Sequence, residues 1–527
     1  MKLSRLPFKL AIKFSAFLLL FAQVSCMVKS DFKGIILASK GKIESLDPAQ
    51  ANKLLALQLI SSLGDTLYRI NLQGSLVPML AKDRPIISKD GLSISIPLKE
   101  NILFHDGTKF NAEAMAFSIN RFIQIGTLTY ITKSIKSIET PEEFLIRINL
   151  SKPSTSIKGL LTSINLTPIS PTSYSLYKDK FLINNFIGTG PYKLINYSTE
   201  RQSIEPFENY WGEKVKNSGI TFVSFTNSTS LFSAIKTGQV DVLLSNAIED
   251  VHSFALKNLS KKNTLIEGEG PPMEIGYIAF RTNSDLLKNK KIRKALLFSL
   301  DRDLISNQVS YGLRVPLRSL IPPFLAIRKN SPWPKYNVET ASRIFKEAGF
   351  CNNKKLTLPL TFRSNVPSDK LLALKWQQQI KQDLSECLEI SLNGVESTTI
   401  YKQLSEGAFE AVILDWTGDY PDPYAYLAPL LDCIKINDEV CEDGEAVTGG
   451  TFWANNTLQK SLMKSELLRE EERLEELRKV ERLAAEGAAL LPIWHLKPRV
   501  WTRNNLSKPK FDGSGRLLLK EMIKDNE

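Results

Sequence analysis

The run Gly34-Ile35-Ile36-Leu37-Ala38 is apolar without alternation, so residues 31–40 are predicted to form a buried first strand. The polar loop Lys42-Ile43-Glu44-Ser45-Leu46-Asp47-Pro48 follows, and a helical pattern starts near Ala51. From Tyr68 to about Leu150 the pattern changes to short runs broken by turn residues: Ile94-Ser95-Ile96-Pro97-Leu98, then Phe104-His105-Asp106-Gly107-Thr108, then a helix over 112–122. That mixture predicts a small α+β unit. Gly188-Thr189-Gly190-Pro191-Tyr192 opens another strand region, which runs on through Asn209-Tyr210-Trp211 and Ile220-Thr221-Phe222-Val223. A helix then ends at Thr237-Gly238, where the glycine reads as a C-cap, and leads into Val240-Asp241-Val242-Leu243.

The second half repeats this alternation: an extended segment at 276–283, a helical stretch at 291–309, and a helix at 339–348 closed by Gly349. A strand at 356–362, a helix at 368–384 and a strand at 409–414 follow. The last long helix, 458–487, is dense in Glu, Lys and Arg, which predicts a solvated helix laced with charge pairs. The fold class is therefore α/β, with no internal repeat and no low-complexity linker. At 527 residues, 43% hydrophobic and 24% charged, the chain is too long for one ordinary core, and two or three packed units are expected.

The N-terminus has a different character. Lys2, Arg5, Lys9 and Lys13 occur without an acid, and the apolar run from Phe14 to Ala22 is about nine residues, roughly half of what a membrane-spanning helix needs. This is the layout of an export signal covering residues 1–26. Cys26 sits where a lipobox cysteine would, after Val24-Ser25, although Gln23 stands where such motifs usually have Leu. Acylation there would anchor the mature protein to a lipid leaflet; simple cleavage nearby would release it. Of the formal charge of +12, four units lie in this signal, and the remaining basic residues are dispersed. No aromatic-interleaved basic stripe or zinc-finger spacing points to nucleic acid.

Four cysteines remain in the exported part: Cys351, Cys387, Cys433 and Cys441. An even count outside the cytoplasm favours disulfides, and Cys433 with Cys441, which flank a short acidic segment, are the first pair to expect. The spacing does not suit zinc, and the chain holds three histidines in all.

Six blocks of the sequence carry a family likeness. They are Gly74-Ser75-Leu76-Val77-Pro78-Met79-Leu80-Ala81, Phe104-His105-Asp106-Gly107-Thr108-Lys109-Phe110-Asn111-Ala112-Glu113 and Gly188-Thr189-Gly190-Pro191-Tyr192, then Asn209-Tyr210-Trp211, Lys291-Ile292-Arg293-Lys294-Ala295-Leu296 with Asp301-Arg302, and Trp416-Thr417-Gly418-Asp419-Tyr420-Pro421-Asp422-Pro423. In this order they resemble the extracellular solute-binding proteins of family 5, the dipeptide- and oligopeptide-binding lipoproteins of bacterial ABC importers. The resemblance implies a two-lobed periplasmic-binding-protein clamp, type II-like, with an extra N-terminal α+β subdomain. Lobe I would comprise 31–66, 187–275 and 490–527, the extra subdomain 67–186, and lobe II 276–489. The hinge strands would fall near 277–282 and 490–494. It also implies a monomer without cofactor or catalysis, in the periplasm or on the cell surface, that captures short peptides and passes them to an ABC permease and its ATPase subunits.

The block 416–423 is the strongest ligand-site candidate, because the strand Val412-Ile413-Leu414 runs into an aromatic residue and then a carboxylate. By the resemblance, Asp419 holds the peptide's α-ammonium group while Trp416, Thr417 and Gly418 offer backbone to an added strand. Tyr401, Ser45 and Leu46 complete the expected site. The basic residues that oligopeptide binders place upstream of this block are reduced to Lys402, with Arg363 as a substitute for receiving the ligand's carboxylate. That departure keeps oligosaccharide, stacked on Trp416, Tyr401 and Trp333, and a metal chelate as rival ligands. A secreted hydrolase is the remaining rival, but no Gly-x-Ser-x-Gly elbow, His-Glu-x-x-His motif or phosphate loop is present. His105, in a Asp-Gly turn, reads as structural, and no metal site is expected.

Overall fold

Strand Ile35–Lys40 runs parallel to Ile220–Phe225 on one side and to Val242–Leu244 on the other. These segments are nearly continuous apolar runs because a parallel strand in mid-sheet is covered on both faces. The computed structural model describes residues 34–128, 132–245, 248–325 and 331–525; Cys26 and the export signal lie outside them. The full sheet has seven strands, in the order Leu265–Glu269, Arg499–Arg503, Val242–Leu244, Ile35–Lys40, Ile220–Phe225, Arg201–Pro206 and Tyr192–Tyr197. Helix Ser228–Thr237 packs on it. Asn227 caps its first turn by accepting from the Ser230 N–H, and Gly238 closes it at φ 76°, a left-handed conformation that favours glycine.

A second sheet has six strands, ordered Val315–Pro316, Leu490–Leu496, Glu274–Phe280, Ala411–Thr417, Leu356–Arg363 and Leu388–Val395. Its largely separate core includes the fully buried Trp333 and Trp376. A third, antiparallel sheet of Ile86–Ile87, Ser93–Pro97, Leu145–Leu150 and Ile135–Glu142 packs with helix Ala112–Ile125 into the expected small α+β unit.

The chain passes between the two large sheets at residues 270–273 and again at 497–498. The two passages are bonded to each other, with the Gly270 N–H donating to the Pro498 carbonyl at 2.8 Å. A Cβ on Gly270 would sit 2.8 Å from Pro498 Cγ, so this close approach requires glycine. Residues 490–496, expected to begin the last segment of lobe I, instead pair antiparallel with Glu274–Phe280 in the six-stranded sheet. The reason is apolarity: the first six of these seven residues are buried, and only a central strand position covers them all.

Two further expectations change. The helical stretch 291–309 is two helices, Lys290–Phe298 and Arg302–Ser310, because Asp301 accepts the N–H groups of Asp303 and Leu304 and starts a new helix. The stretch 458–487 divides into Asn456–Ser465 and Glu470–Gly487. The second of these is not simply solvated: Leu477, Val480 and Ala484 join the core, and Arg473 and Glu481 are buried with partners. Arg473 grips Asp422 with two hydrogen bonds of 2.9 and 2.6 Å, and Glu481 accepts from Ser319.

Candidate functional site

The family block around Gly188 is architectural. A Cβ on Gly190 would lie 2.4 Å from the backbone at Leu63 and Gly64, so this loop packs tightly on the end of helix Leu54–Leu63. The His105 ring bridges the same loop, between the Gly188 N–H and the Gly190 carbonyl.

Between the two large sheets lies a chamber of about 590 Å³, formed where strand Ala411–Thr417 ends and the two passages cross. Asp415, Trp416, Thr417, Gly418 and Asp419 form one wall, and Tyr401 stands on the same side. Leu244, Ser245 and Arg499 come from the seven-stranded sheet and its loops, while Ser514, Gly515 and Arg516 come from a turn near the end of the chain. A second chamber of about 490 Å³ adjoins it, sharing Ser245, Glu274, Asp415, Thr417 and Arg499 and adding Lys40, Lys53, Asp250 and Arg314. A crevice at the carboxyl ends of strands is where open α/β sheets generally take ligands.

Local packing fixes the Asp419 wall. The Trp416 indole N–H donates to the Ala425 carbonyl at 2.8 Å. Gly418 lies against the Tyr426 ring, which a Cβ would approach to 2.6 Å, and the Tyr426 hydroxyl donates to the Met273 carbonyl at the first passage. Asp422 does not face the ligand space but is held by Arg473 and accepts the Tyr424 N–H.

Of the residues expected at the site, Asp419, Trp416, Thr417, Gly418 and Tyr401 are brought together around the chamber. Ser45 and Leu46 do not line it. Ser45 accepts the N–H of Asp47, whose ion pair with Arg121 is sealed from water, and Leu46 is fully buried with its N–H on the Ile183 carbonyl. Arg363 cannot substitute as the carboxylate receptor, since its guanidinium is already taken up by Asp369 at 2.7 and 3.2 Å, Asp415 at 2.6 Å and the Tyr401 hydroxyl at 3.1 Å. Lys402 is exposed and does not line the chamber. Trp333 is not a stacking platform either, because it is buried with its indole N–H on the Leu490 carbonyl.

Sequence reasoning missed Asp415, Glu274, Arg314, Arg499 and Arg516. Asp415 adjoins the block at Trp416 and could have been taken with it; the others sit in segments that no local pattern marks. Burial, with the neighbouring Asp415 carboxylate second, pushes Glu274 up to about 7 against the pull of Arg314 and Arg363. Arg499 donates to Glu269 at 2.9 Å and pairs with Glu267 at 3.4 Å.

The two disulfides lie away from this chamber, joining Cys433 to Cys441 and Cys351 to Cys387. Among the described residues no group of three or more His, Cys, Asp and Glu side chains could hold a metal ion, and no helix is long and apolar enough to cross a membrane.

Comparison with known proteins agrees with this architecture. The glutathione-binding protein GsiB of Shigella flexneri serotype 5b (strain 8401) is 26% identical over 359 residues, covering 66% of this chain and 68% of the relative. Among solved structures, the dipeptide-binding protein of Pseudoalteromonas sp. SM9913 in complex with Met-Leu superposes with a TM-score of 0.78 at 21% identity, covering 93% of this chain and 100% of that one. NikA from Brucella suis in complex with Fe(III)-EDTA gives 0.82 at 19%, covering 93% and 99%. These likenesses show the two-lobed clamp fold. Residues 75–438 match the family model described as bacterial extracellular solute-binding proteins, family 5 Middle, and the chain belongs to this family, the solute-binding components of ABC importers.

Proposed function

We propose that the chain binds short peptides bearing a free α-ammonium group, holds them between its two lobes and releases them intact to a permease. The seven-stranded sheet with the α+β unit would form one jaw and the six-stranded sheet the other. One observation carries the peptide reading. Strand Ala411–Thr417 pairs with Glu274–Phe280 along its whole length, but its ladder with Leu356–Arg363 stops at Val412. Beyond that point one side of its backbone has no strand partner among the described residues, and residues 415–419 of the same segment line the chamber. An extended peptide can add there as a strand, with its ammonium group at Asp419. The burial of Trp333 weighs against oligosaccharide, because it removes one of the stacking surfaces that ligand would need. Mass spectrometry of the small molecules that co-purify tests the reading: peptides support it, and oligosaccharide or a metal chelate overturns it. A carrier should also return an added peptide uncleaved, whereas a hydrolase would consume it.

The anchor belongs to the same proposal. Metabolic labelling with a fatty acid should mark the wild type and not Cys26→Ala; an unlabelled wild type that is equally membrane-bound without Cys26 would refute acylation there.

A further inference from the structure

A peptide that presents its ammonium group to Asp419 also carries a carboxylate, and the cations around the chamber are almost all committed. Arg499 is paired with Glu269 and Glu267, with its side chain 5% exposed. Arg314, in the adjoining chamber, is bound to Asp250 at 2.9 Å and to Glu274 at 3.5 Å. Arg363 behind the wall is saturated by Asp369 and Asp415. Among the arginines Arg516 is the exception, and the uncommitted Lys40 of the adjoining chamber is exposed to water. Arg516 lines the main chamber, and among the described residues its guanidinium forms no ion pair and no hydrogen bond. Burial lowers its pKa from the ordinary arginine value, with Asp512 acting against that.

Asp512 is poorly placed to serve as its lasting partner, because one carboxylate oxygen already accepts the N–H groups of Ser514 and Arg516, at 2.9 and 3.0 Å, and the Ser514 hydroxyl at 2.7 Å. Those bonds build the turn that presents Arg516. The turn is closed by the Asp512 N–H on the Arg516 carbonyl at 2.9 Å and by a bridge between Phe511 and Leu517. It is held from outside at two points. The Gly513 N–H donates to the Ile70 carbonyl at 3.0 Å, and Gln58 clamps Leu517 through both its N–H, at 2.9 Å, and its carbonyl, at 3.0 Å. Gly515, at φ 79°, lies 3.3 Å from Met273 measured from an added Cβ, so the turn is wedged against the first passage between the sheets. The cation therefore sits on a braced scaffold, which is the condition for preorganised recognition.

We infer that Arg516 receives the carboxylate of a zwitterionic ligand, on the wall of the chamber contributed by the chain end, while Asp419 on the other wall receives its ammonium group. This rests on the peptide reading above and narrows it to ligands with a free carboxyl terminus. A planar guanidinium matches a carboxylate with two parallel hydrogen bonds. A partly desolvated cation without a partner is costly, and an arriving carboxylate relieves that cost when the cleft closes.

The test uses an equimolar pool of dipeptides in two forms, free acid and C-terminal amide, with equilibrium dialysis and mass spectrometry reading the ratio of the two affinities within each variant. The wild type should favour the free acids roughly a hundredfold, in keeping with the loss of one partner from a shielded ion pair. Arg516→Gln should bring that ratio close to one, Arg516→Lys should retain part of it, and Asp419→Asn should weaken both forms while preserving it. A partial folding defect scales both affinities together and leaves the ratio unchanged, so misfolding cannot imitate the expected result. If Arg516→Gln keeps the wild-type ratio, the inference is overturned and the peptide reading stands. If the wild type binds neither form, the peptide reading falls and the inference with it.

Discussion

Across the seam between the two large sheets, the Arg314 guanidinium donates to the Asp250 carboxylate at 2.9 Å. Arg314 precedes strand Val315–Pro316 of the six-stranded sheet, and Asp250 begins helix Asp250–Lys261, which packs on the seven-stranded one. One helical turn further, Phe254 stacks on Tyr311 with ring centroids 4.7 Å apart and planes at 15°. On the α+β side of the cleft a second set of contacts joins Ser154 and Ser156 to the buried Glu466 carboxylate, at 2.6 and 2.5 Å. The clamp is thus fastened on both flanks.

Asp250→Asn combined with Phe254→Ala should shift the unliganded protein toward an open form. An ion pair and a stacked ring pair of this kind each contribute on the order of 1 kcal/mol, so together they bias closure by about thirtyfold. Small-angle scattering without ligand should give a larger radius of gyration for the double variant than for the wild type. Equal radii would mean that these contacts do not hold the jaws.

Glu274 predicts a pH dependence with a definite sign. Its folded-state pKa is raised from the ordinary 4.5 to about 7 by burial and by Asp415, so between those values the folded protein binds more protons than the unfolded chain. Stability from this group is complete below about pH 4.5 and is lost as pH rises through 7, by at most about 3 kcal/mol. Glu274→Gln, which stays neutral, should therefore lose less melting temperature than the wild type between pH 5 and pH 8. A parallel fall in the two proteins would show that Glu274 titrates normally.

Asp419→Ala should weaken peptide binding by about two orders of magnitude or more, since removing one partner of a buried ion pair costs roughly 3–5 kcal/mol. Asp419→Asn keeps the shape, so a similar loss assigns the effect to the charge. Calorimetry with N-acetylated peptides gives the complementary reading, and if they bind the wild type as tightly as free ones the ammonium role is wrong. Melting curves of the unliganded variants separate this from a turn-capping role, which would lower stability with the cleft empty.

The disulfides close loops of different size, with sequence separations of 36 for Cys351–Cys387 and 8 for Cys433–Cys441. On the chain-entropy account, replacing the first pair by Ala should cost about 4 kcal/mol and replacing the second about 2.5 kcal/mol. Denaturant unfolding of the two double variants should rank them in that order. Tryptic mapping of the wild type should recover both linked peptides, and free thiols at either pair would contradict the bond.

The sequence by itself determined the α/β class, most strands and helices and the family. Each rests on signals that are local in the chain: apolar runs such as 35–38, a capping glycine at 238, and blocks such as 416–423 whose backbone demands are met by their own residues. It also pointed to the Asp419 wall, because strand, aromatic residue and carboxylate are contiguous there. The opposite wall was not legible. Gln58, Met273, Arg499 and Arg516 meet only because the chain passes between the sheets twice and its end folds back over both passages. Charge partners were hidden for the same reason. Arg363 looked available in the sequence, but folding places it against Asp369 and Asp415, while the final turn brings Arg516 to the chamber without an ion-pair partner among the described residues. Where a cation finds its counter-charge depends on distances that tertiary packing sets, and no spacing along the chain encodes them.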